Sequence, residues 1–484
     1  MASLNITIND QQVFAESGQT VLEAARAAGI EIPTLCHHPA LKPIGACRVC
    51  LVEVAGQRSL QPACTFPVAP RMVIQTESPK VVEARKFVLE LIFSERNHFC
   101  MACEMSGDCE LQKLGYRYGL DHWAYPTYTQ GFPVDATPEN FLLDHNRCVL
   151  CRRCLRACSE LAANHTLDLR QRGASTMVTA DMNVPLAQSS CIACGTCLDV
   201  CPTGALVDKR SAFAGRRSDT VQIDSVCSQC SIGCGIGIVV RNDAVLRICS
   251  RWDAPVNRGL LCKKGRFESI GDSRSRTLSP EKQMYGRYSP IGWSEALQLA
   301  AERIGAAAAP QLGVLTTTAA TNEALQLLKD VFCGLRKTSQ VALFNGTAPG
   351  VPMTAGAKLS DLTQSDYILV TGTDPALTHP VAYMQIRQAV DRGARLVTIG
   401  ESPGELTLYA DEALKVTEAE QAAAMARQAR FPVVVYGQYV AEEVFAAFKK
   451  VDAAVFLALQ PGVNTQTAIS LGLNGRIDFN ALQV

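Results

Sequence analysis

The sequence has no net charge, because 46 Lys and Arg balance 46 Asp and Glu. No field of one sign gathers phosphates or anionic headgroups, so nucleic acid is excluded as a partner that bulk electrostatics would select. Long hydrophobic runs are missing as well: no stretch approaches the roughly 18 apolar residues needed to span a bilayer. The opening Met1-Ala-Ser-Leu-Asn-Ile-Thr-Ile-Asn-Asp10 has neither the basic stretch nor the apolar core of a signal peptide. A cytoplasmic chain is expected. What is abundant is cysteine, at 21 residues. In a reducing compartment these do not read as disulfides, and their clustering at short repeated spacings points to metal ligation.

At 484 residues the chain has room for three or four domains. Alternation through Leu4, Ile6 and Ile8, a turn at Asn9-Asp10, and a helix opened by the capping box Thr20-x-x-Glu23 and closed near Gly29 predict a small strand-helix domain. A helical stretch follows from Val81 to Phe93, and the aromatic, Pro-rich segment from Trp123 to Phe132 reads as an ordered crossing loop. Two equally spaced Cys runs, at 148–158 and 191–201, form an internal repeat, with a boundary expected near 215. Beyond about 290, the apolar runs Leu312–Leu315, Tyr367–Val370, Leu396–Ile399, Val433–Tyr436 and Val455–Leu459 alternate with helical stretches such as Trp293–Ile304. That is the pattern of a parallel-sheet α/β region.

The cysteines fall into five sets. The first, Cys36, Cys47, Cys50 and Cys64, supplies the four thiolates of a 2Fe-2S site; a structural zinc site is the alternative, although the gap between Cys36 and Cys47 is atypical of zinc ribbons. The second, Cys100, Cys103 and Cys109, offers three thiolates where a cubane needs four ligands, and His98 is the natural fourth; Cys249 or water is the alternative. The third is Cys148-x2-Cys151-x2-Cys154-x3-Cys158, and the fourth Cys191-x2-Cys194-x2-Cys197-x3-Cys201-Pro202. In the two-cluster ferredoxin arrangement the last Cys of each run ligates the other cluster. One cubane is then held by Cys148, Cys151, Cys154 and Cys201, the other by Cys191, Cys194, Cys197 and Cys158. The fifth is Cys227-x2-Cys230-x3-Cys234 with Cys262 in Cys262-Lys-Lys264-Gly265. Cys249 and Cys333 remain, most simply as buried structural thiols.

The first two sets resemble the amino-terminal region of the large iron-sulfur subunit of complex I and of iron-only hydrogenases. In complex I the His lies four residues before the first Cys, where this chain has Arg96; His98 sits two before Cys100, as in the diaphorase small subunits of NAD-reducing hydrogenases. Ser159 stands where bacterial ferredoxins usually have Pro. The fifth set resembles the amino-terminal cluster domain of molybdopterin formate dehydrogenases and its counterpart in complex I. Lys264 maps to the lysine that lies between cluster and pterin in those enzymes, the alternative being a surface lysine. Ser365 to Ala376 and His379-Pro380 resemble the first dinucleotide-like half of the molybdopterin fold.

The resemblance implies an α+β multidomain chain: a β-grasp 2Fe-2S domain at 1–78, a 4Fe-4S domain with one His and three Cys ligands at 79–120, and a two-cluster ferredoxin domain at 138–210. A 4Fe-4S domain of molybdopterin oxidoreductase type at 220–276 and a truncated α/β molybdopterin-oxidoreductase-like domain at 290–484 complete it. Catalytic relatives carry a metal-ligating Cys or selenocysteine downstream of the cluster motif, and Phe344 to Gly356 has none. Gly233-Cys-Gly-Ile-Gly237 is ligand-loop glycine rather than a strand-to-helix phosphate fingerprint. The expectation is therefore one 2Fe-2S and four 4Fe-4S clusters, no molybdopterin and no catalytic residue. The implied role is a relay between a flavin (FMN) NADH-binding diaphorase subunit, with a further small iron-sulfur subunit, and a catalytic hydrogenase, formate dehydrogenase or quinone-reducing module. The doubled ferredoxin run resembles formate dehydrogenase and hydrogenase subunits more than complex I. The alternative is a short-form molybdopterin-dependent formate dehydrogenase catalytic subunit.

Overall fold

The structure, a computed structural model, describes residues 3–128, 131–271, 277–344, 356–400 and 404–477. The chain divides into two compact units: Met1–Ser225 with Ile236–Ala254 and Arg258–Phe267, and Val226–Gly235 with Pro255–Asn257 and Glu268–Val484. Among the described residues no helix is long and apolar enough to cross a membrane.

In the first unit, β1 (Ser3–Ile8) and β2 (Gln11–Glu16) form an antiparallel hairpin. Its two-residue turn puts Asn9 and Asp10 at φ 49° and 66°, the left-handed pair that lets strand twist continue through a tight turn. Helix α1 (Val21–Ala27) begins with the expected capping box, in which Glu23 N–H donates to Thr20 Oγ1 at 3.2 Å and Thr20 N–H to Glu23 Oε2 at 2.7 Å. With β3 (Leu51–Val54), β4 (Gln61–Pro62) and β5 (Val73–Gln75) the sheet order is β2-β1-β5-β3-β4. Ile6, Ile8, Val21, Leu22, Val52 and Ile74 pack its core together with Cys50 and Cys64, so two thiols of the first set are anchored in hydrophobic packing.

Helix α2 (Pro79–Ser94) is capped by Ser78 and leads to α3 (Glu110–Arg117), with the second set between them. Among its described residues, the segment from Trp123 to Phe132 contains neither helix nor strand apart from a bridge of Tyr128 to Glu95, and the Arg96 guanidinium lies 4.3 Å over the Phe132 ring. A three-stranded sheet, β6 (Val134–Asp135), β7 (Phe141–Asp144) and a strand at Leu206–Asp208, backs the repeat. Between its second and last strands lie α4 (Arg153–Arg156), the hairpin β8 (Leu167–Arg170) and β9 (Met177–Ala180), and α5 (Thr196–Val200). With Leu206–Asp208 as β10, the meander β11 (Val221–Val226), β12 (Gly235–Arg241) and β13 (Ala244–Ser250) precedes the short helix α6 (Lys263–Arg266).

The second unit opens with the hairpin β14 (Glu281–Met284) and β15 (Arg287–Pro290), then α7 (Trp293–Ala306), none of whose residues is buried. A parallel pair follows, β16 (Val314–Thr316) and β17 (Val341–Leu343), bracketing α8 (Asn322–Leu328). The main sheet is fully parallel in the order β20-β19-β18-β21-β22: β18 (Tyr367–Thr371), β19 (Arg395–Ile399), β20 (Glu412–Leu414), β21 (Pro432–Tyr436) and β22 (Val455–Ala458). Helices α9 (Pro375–Thr378), α10 (Pro380–Asp391), α11 (Ala419–Ala426) and α12 (Glu442–Phe448) supply crossovers, and α13 (Thr465–Ser470) follows. Residues of β18 and β21 are buried throughout, as strands covered on both faces must be, which explains their uninterrupted apolar sequence.

Candidate iron-sulfur sites

The first set closes on itself. Cys36 N–H donates to Cys47 Sγ at 3.4 Å, and the Cys36 thiol shares hydrogen bonds with Cys47 and Cys64. These hold Cys36 well below the usual thiol range, while the same bond, with burial, drives Cys47 up. Cys50 is held down in the same way by Cys64. Cys36 thus neighbours Cys47 and Cys64, and Cys50 neighbours Cys64, with Cys36, Cys50 and Cys64 buried, a thiol-rich loop of the chemistry a small cationic cluster requires.

For the second set, Cys100, Cys103, Cys109 and His98 line one cavity, floored by Phe93 and Leu111. Burial lowers the His98 imidazolium to about 4, so at neutral pH the ring is uncharged and keeps a lone pair for a metal. The ring packs edge-on to Phe93, at 5.8 Å between centroids. A Cβ on Gly204 would lie 2.6 Å from Cys103 Sγ, so only glycine lets the ferredoxin segment approach this close. Cys249 is elsewhere: it lies opposite Gly237 in the β12–β13 ladder, its thiol donating to Gln222 Oε1 at 3.4 Å. Both Cys249 and Cys333 are half-buried, which corrects the expectation of buried thiols; the strand and helix-end positions they occupy each leave one side open.

The two runs of the repeat interlock. Cys148, Cys151, Cys154 and Cys201 line one cavity, and Cys158, Cys191, Cys194 and Cys197 line a second, whose wall also includes Cys154. The last cysteine of each run thus faces the other run's cavity. Burial pushes the Cys148 thiol up to about 11 and Cys191 to about 12, and drives Cys151, Cys154, Cys158 and Cys197 upward. Buried thiolates would repel one another here without a cation between them, which is the condition an iron-sulfur core relieves. Among the described residues, no three His, Cys, Asp or Glu side chains converge tightly enough for a single ion; the thiols ring cavities instead.

The fifth set is divided between the units. In the second, Cys227 N–H donates to Cys234 O at 2.8 Å, and Ser231 N–H donates to Gln460 O while His379 Nε2 lies 3.2 Å from Ser231 Oγ. In the first, Cys262 caps α6, its sulfur accepting from Gly265 N–H at 3.4 Å, and Lys264 is exposed on that helix. The stretch 345–355, where the sequence has no metal-ligating Cys, lies outside the described residues.

Sequence reading misses a set of arginines, Arg153, Arg156 and Arg266 buried and Arg147 half-buried, that join the ligand loops of the first unit. Arg153 makes a bidentate pair with Glu110, the neighbour of Cys109, at 2.8 and 2.7 Å. Arg147 donates to the carbonyls of Phe99 and Ala102, both at 3.3 Å, and Arg156 to those of Cys36 and Lys42. Arg266 donates to Cys194 O at 2.9 Å. Their one sequence signal is position, since each lies within four residues of a cysteine ligand candidate.

Known proteins share this pattern. Family models match for a 2Fe-2S iron-sulfur cluster binding domain at residues 1–79 and the NADH-ubiquinone oxidoreductase-G iron-sulfur binding region at 85–123. The ferredoxin-like domain of NADH-quinone oxidoreductase subunit 3 matches 140–207, the molybdopterin oxidoreductase Fe4S4 domain 221–269, and molybdopterin oxidoreductase 255–431. The chain is 30% identical to a G-type NADH-quinone oxidoreductase subunit of Rhizobium meliloti, over 92% of this chain and 53% of the relative. It is also 30% identical to NADH-quinone oxidoreductase subunit 3 of Thermus thermophilus, over 80% of this chain and 53% of the relative. The chain thus spans about half the length of these curated relatives. A chain in the crystal structure of a NAD+-reducing [NiFe]-hydrogenase is 36% identical over 44% of this chain and 91% of that one, with a TM-score of 0.42.

Proposed function

We propose that the chain belongs to the G-type subunit family of NADH-quinone oxidoreductase and is the iron-sulfur electron-transfer subunit of an NADH-linked oxidoreductase complex. The observation that carries this reading is the interlocked pair of cavities, each lined by three cysteines of one run and the last of the other. In this reading Cys36, Cys47, Cys50 and Cys64 hold a 2Fe-2S cluster, and His98, Cys100, Cys103 and Cys109 a 4Fe-4S cluster. The two cavities of the repeat hold one cubane each. The fifth set, Cys227, Cys230, Cys234 and Cys262, is proposed on its spacing and on the matched Fe4S4 family model alone.

When bound, such clusters take up and release one electron at a time, at potentials that protein surroundings set within about −700 to +450 mV. The chain's own residues bury the ligands, exclude water from the sulfurs and fix the ligand loops against one another. No catalytic residue is assigned, so hydride removal from NADH falls to a flavin-bearing diaphorase subunit, and the terminal chemistry to a quinone-reducing or other catalytic module. The α/β unit serves as scaffold and docking surface without a pterin. The matched molybdopterin oxidoreductase family model favours a second reading, a short-form formate-oxidising subunit in which Lys264 would lie beside the pterin.

Mixing the anaerobic, oxidised chain with NADH tests the proposal. NADH alone is expected to leave the visible absorbance unchanged, and an FMN-bearing NADH-oxidising partner is expected to bleach it; bleaching by NADH alone would contradict the division of labour. A second expectation concerns pH. The thiols raised to about 11 at Cys109 and Cys148 and about 12 at Cys191 are protonated at neutral pH, while the bound form uses thiolates. Cluster assembly therefore releases protons, and reconstitution should strengthen as pH rises from about 7 to 9. Absorbance per chain after anaerobic reconstitution across that range measures it, and a flat or falling profile would count against thiolate ligation.

A further inference from the structure

The two ferredoxin-type runs have identical spacing, so their positions match one for one: Arg152 with Gly195, Arg153 with Thr196, Arg156 with Asp199. The backbone follows the match, since Arg152 and Gly195 both precede their helices in the left-handed conformation, at φ 59° and 70°. The side chains have diverged in charge. On α4, Arg156 reaches outward as a donor to the carbonyls of Cys36 and Lys42. On α5, Asp199 at the equivalent place is an acceptor: it takes the Ser250 N–H at 2.8 Å and pairs with Arg266 Nη1 at 2.7 Å.

Arg266 is 2% exposed. Its Nε donates to Cys194 O at 2.9 Å and its Nη2 to Ser250 Oγ at 2.9 Å. A Cβ on Gly195 would lie 2.5 Å from Arg266 Cδ, so the glycine between Cys194 and Cys197 is required for the guanidinium stem to lie against this ligand loop. A guanidinium stays charged at every accessible pH. Fixed in a buried site, it acts on neighbouring sulfurs through a low effective dielectric. Reduction of a cluster adds negative charge to its sulfurs, which a nearby cation favours and a nearby anion disfavours.

From this geometry we infer that the Arg266–Asp199 pair sets the reduction potential of the site lined by Cys158, Cys191, Cys194 and Cys197, Arg266 raising it and Asp199 offsetting the rise. The inference rests on the proposed ligand set for that site. Arg266 is a positioning residue here as well, holding the Cys194 loop by its carbonyl. A purely structural clasp and an electrostatic control predict different outcomes: loosening the loop from either partner should perturb it in one sense, whereas charge removal should shift the potential in opposite senses.

The test is potentiometric titration of the reconstituted full-length chain, followed by electron paramagnetic resonance, with the relevant signal identified as the one lost or altered in Cys194→Ser. Arg266→Gln is expected to lower the midpoint of that signal, Asp199→Asn to raise it, and Arg266→Lys to keep it near the wild-type value, with other midpoints unmoved. Equal midpoints in all variants, or shifts of one sign in Arg266→Gln and Asp199→Asn, would overturn the inference while leaving the ligand set intact. If Arg266→Gln does not accumulate, the sign of the Asp199→Asn shift decides. Should Cys194→Ser alter no signal at all, the ligand set itself fails and the inference falls with it.

Discussion

Replacing Cys194 with Ala is expected to reduce electron delivery to distal acceptors to background while NADH oxidation by the flavin partner, measured with an artificial dye, continues. Cys194 lines only the second cavity of the repeat, with Cys158, Cys191 and Cys197, whereas Cys148, Cys151 and Cys201 line the other. The substitution removes a sulfur without substituting another donor, so one cubane should be lost and its neighbour kept. Iron should therefore fall by about four atoms per chain. Distal reduction at the wild-type rate, in protein that has lost that iron, would mean the site is off the path. A loss of about eight irons would mean that the two sites assemble only together.

Replacing Glu110 with Leu is expected to destabilise the first unit by about 3 kcal/mol, because it leaves the buried Arg153 guanidinium without its counter-charge. The side chain of Arg153 is 4% exposed and that of Glu110 44%, so water partly screens the carboxylate and the cost falls at the low end for breaking a buried pair. Val200 O, at 3.3 Å, also accepts from the Arg153 fork, but it carries no charge. Adding Arg153→Met to Glu110→Leu should recover most of the loss, since removing both charges together ends the penalty of an unpaired buried cation. The measurement is the denaturant midpoint of the transition in which visible absorbance disappears. A cost below about 1 kcal/mol for the single variant would show that the pair behaves as a surface ion pair.

These two expectations differ in how far the sequence foretells them. The cysteine runs stand out because their spacing is local, as in Cys191 to Cys201, whereas the crossed placement of Cys158 and Cys201 depends on the two runs meeting in the fold. The parallel strands are legible for a related reason, since Tyr367–Thr371 and Pro432–Tyr436 are buried on both faces and leave no polar alternation to confuse the period. Helix α1 declares itself through Thr20 and Glu23. The arginines do not. Arg156 lies 120 residues from Cys36, and Arg153 43 from Glu110, so nothing in a sequence window pairs them. A charged residue also reads as solvated by default, and only the fold reveals that these are buried.

Other differences have physical causes too. Free cysteine is usually buried, yet Cys249 lies on a ladder strand with one open face, and Cys333 is half-buried as well. The α7 helix has the apolar periodicity of a core helix, at Trp293 and Leu297 among others, and both of these side chains are exposed. Periodicity reports which face could be covered; it does not report what covers it.

The measurement that bears most directly on the account is metal content per chain of anaerobically purified, full-length protein. One 2Fe-2S and four 4Fe-4S clusters predict about 18 irons, without zinc, molybdenum or tungsten in stoichiometric amount. Iron near that value would establish the chain as a relay of five clusters. Zinc in place of iron would contradict the cluster reading of the thiols, and stoichiometric molybdenum or tungsten would contradict the scaffold reading of the α/β unit and make this chain itself a candidate catalyst.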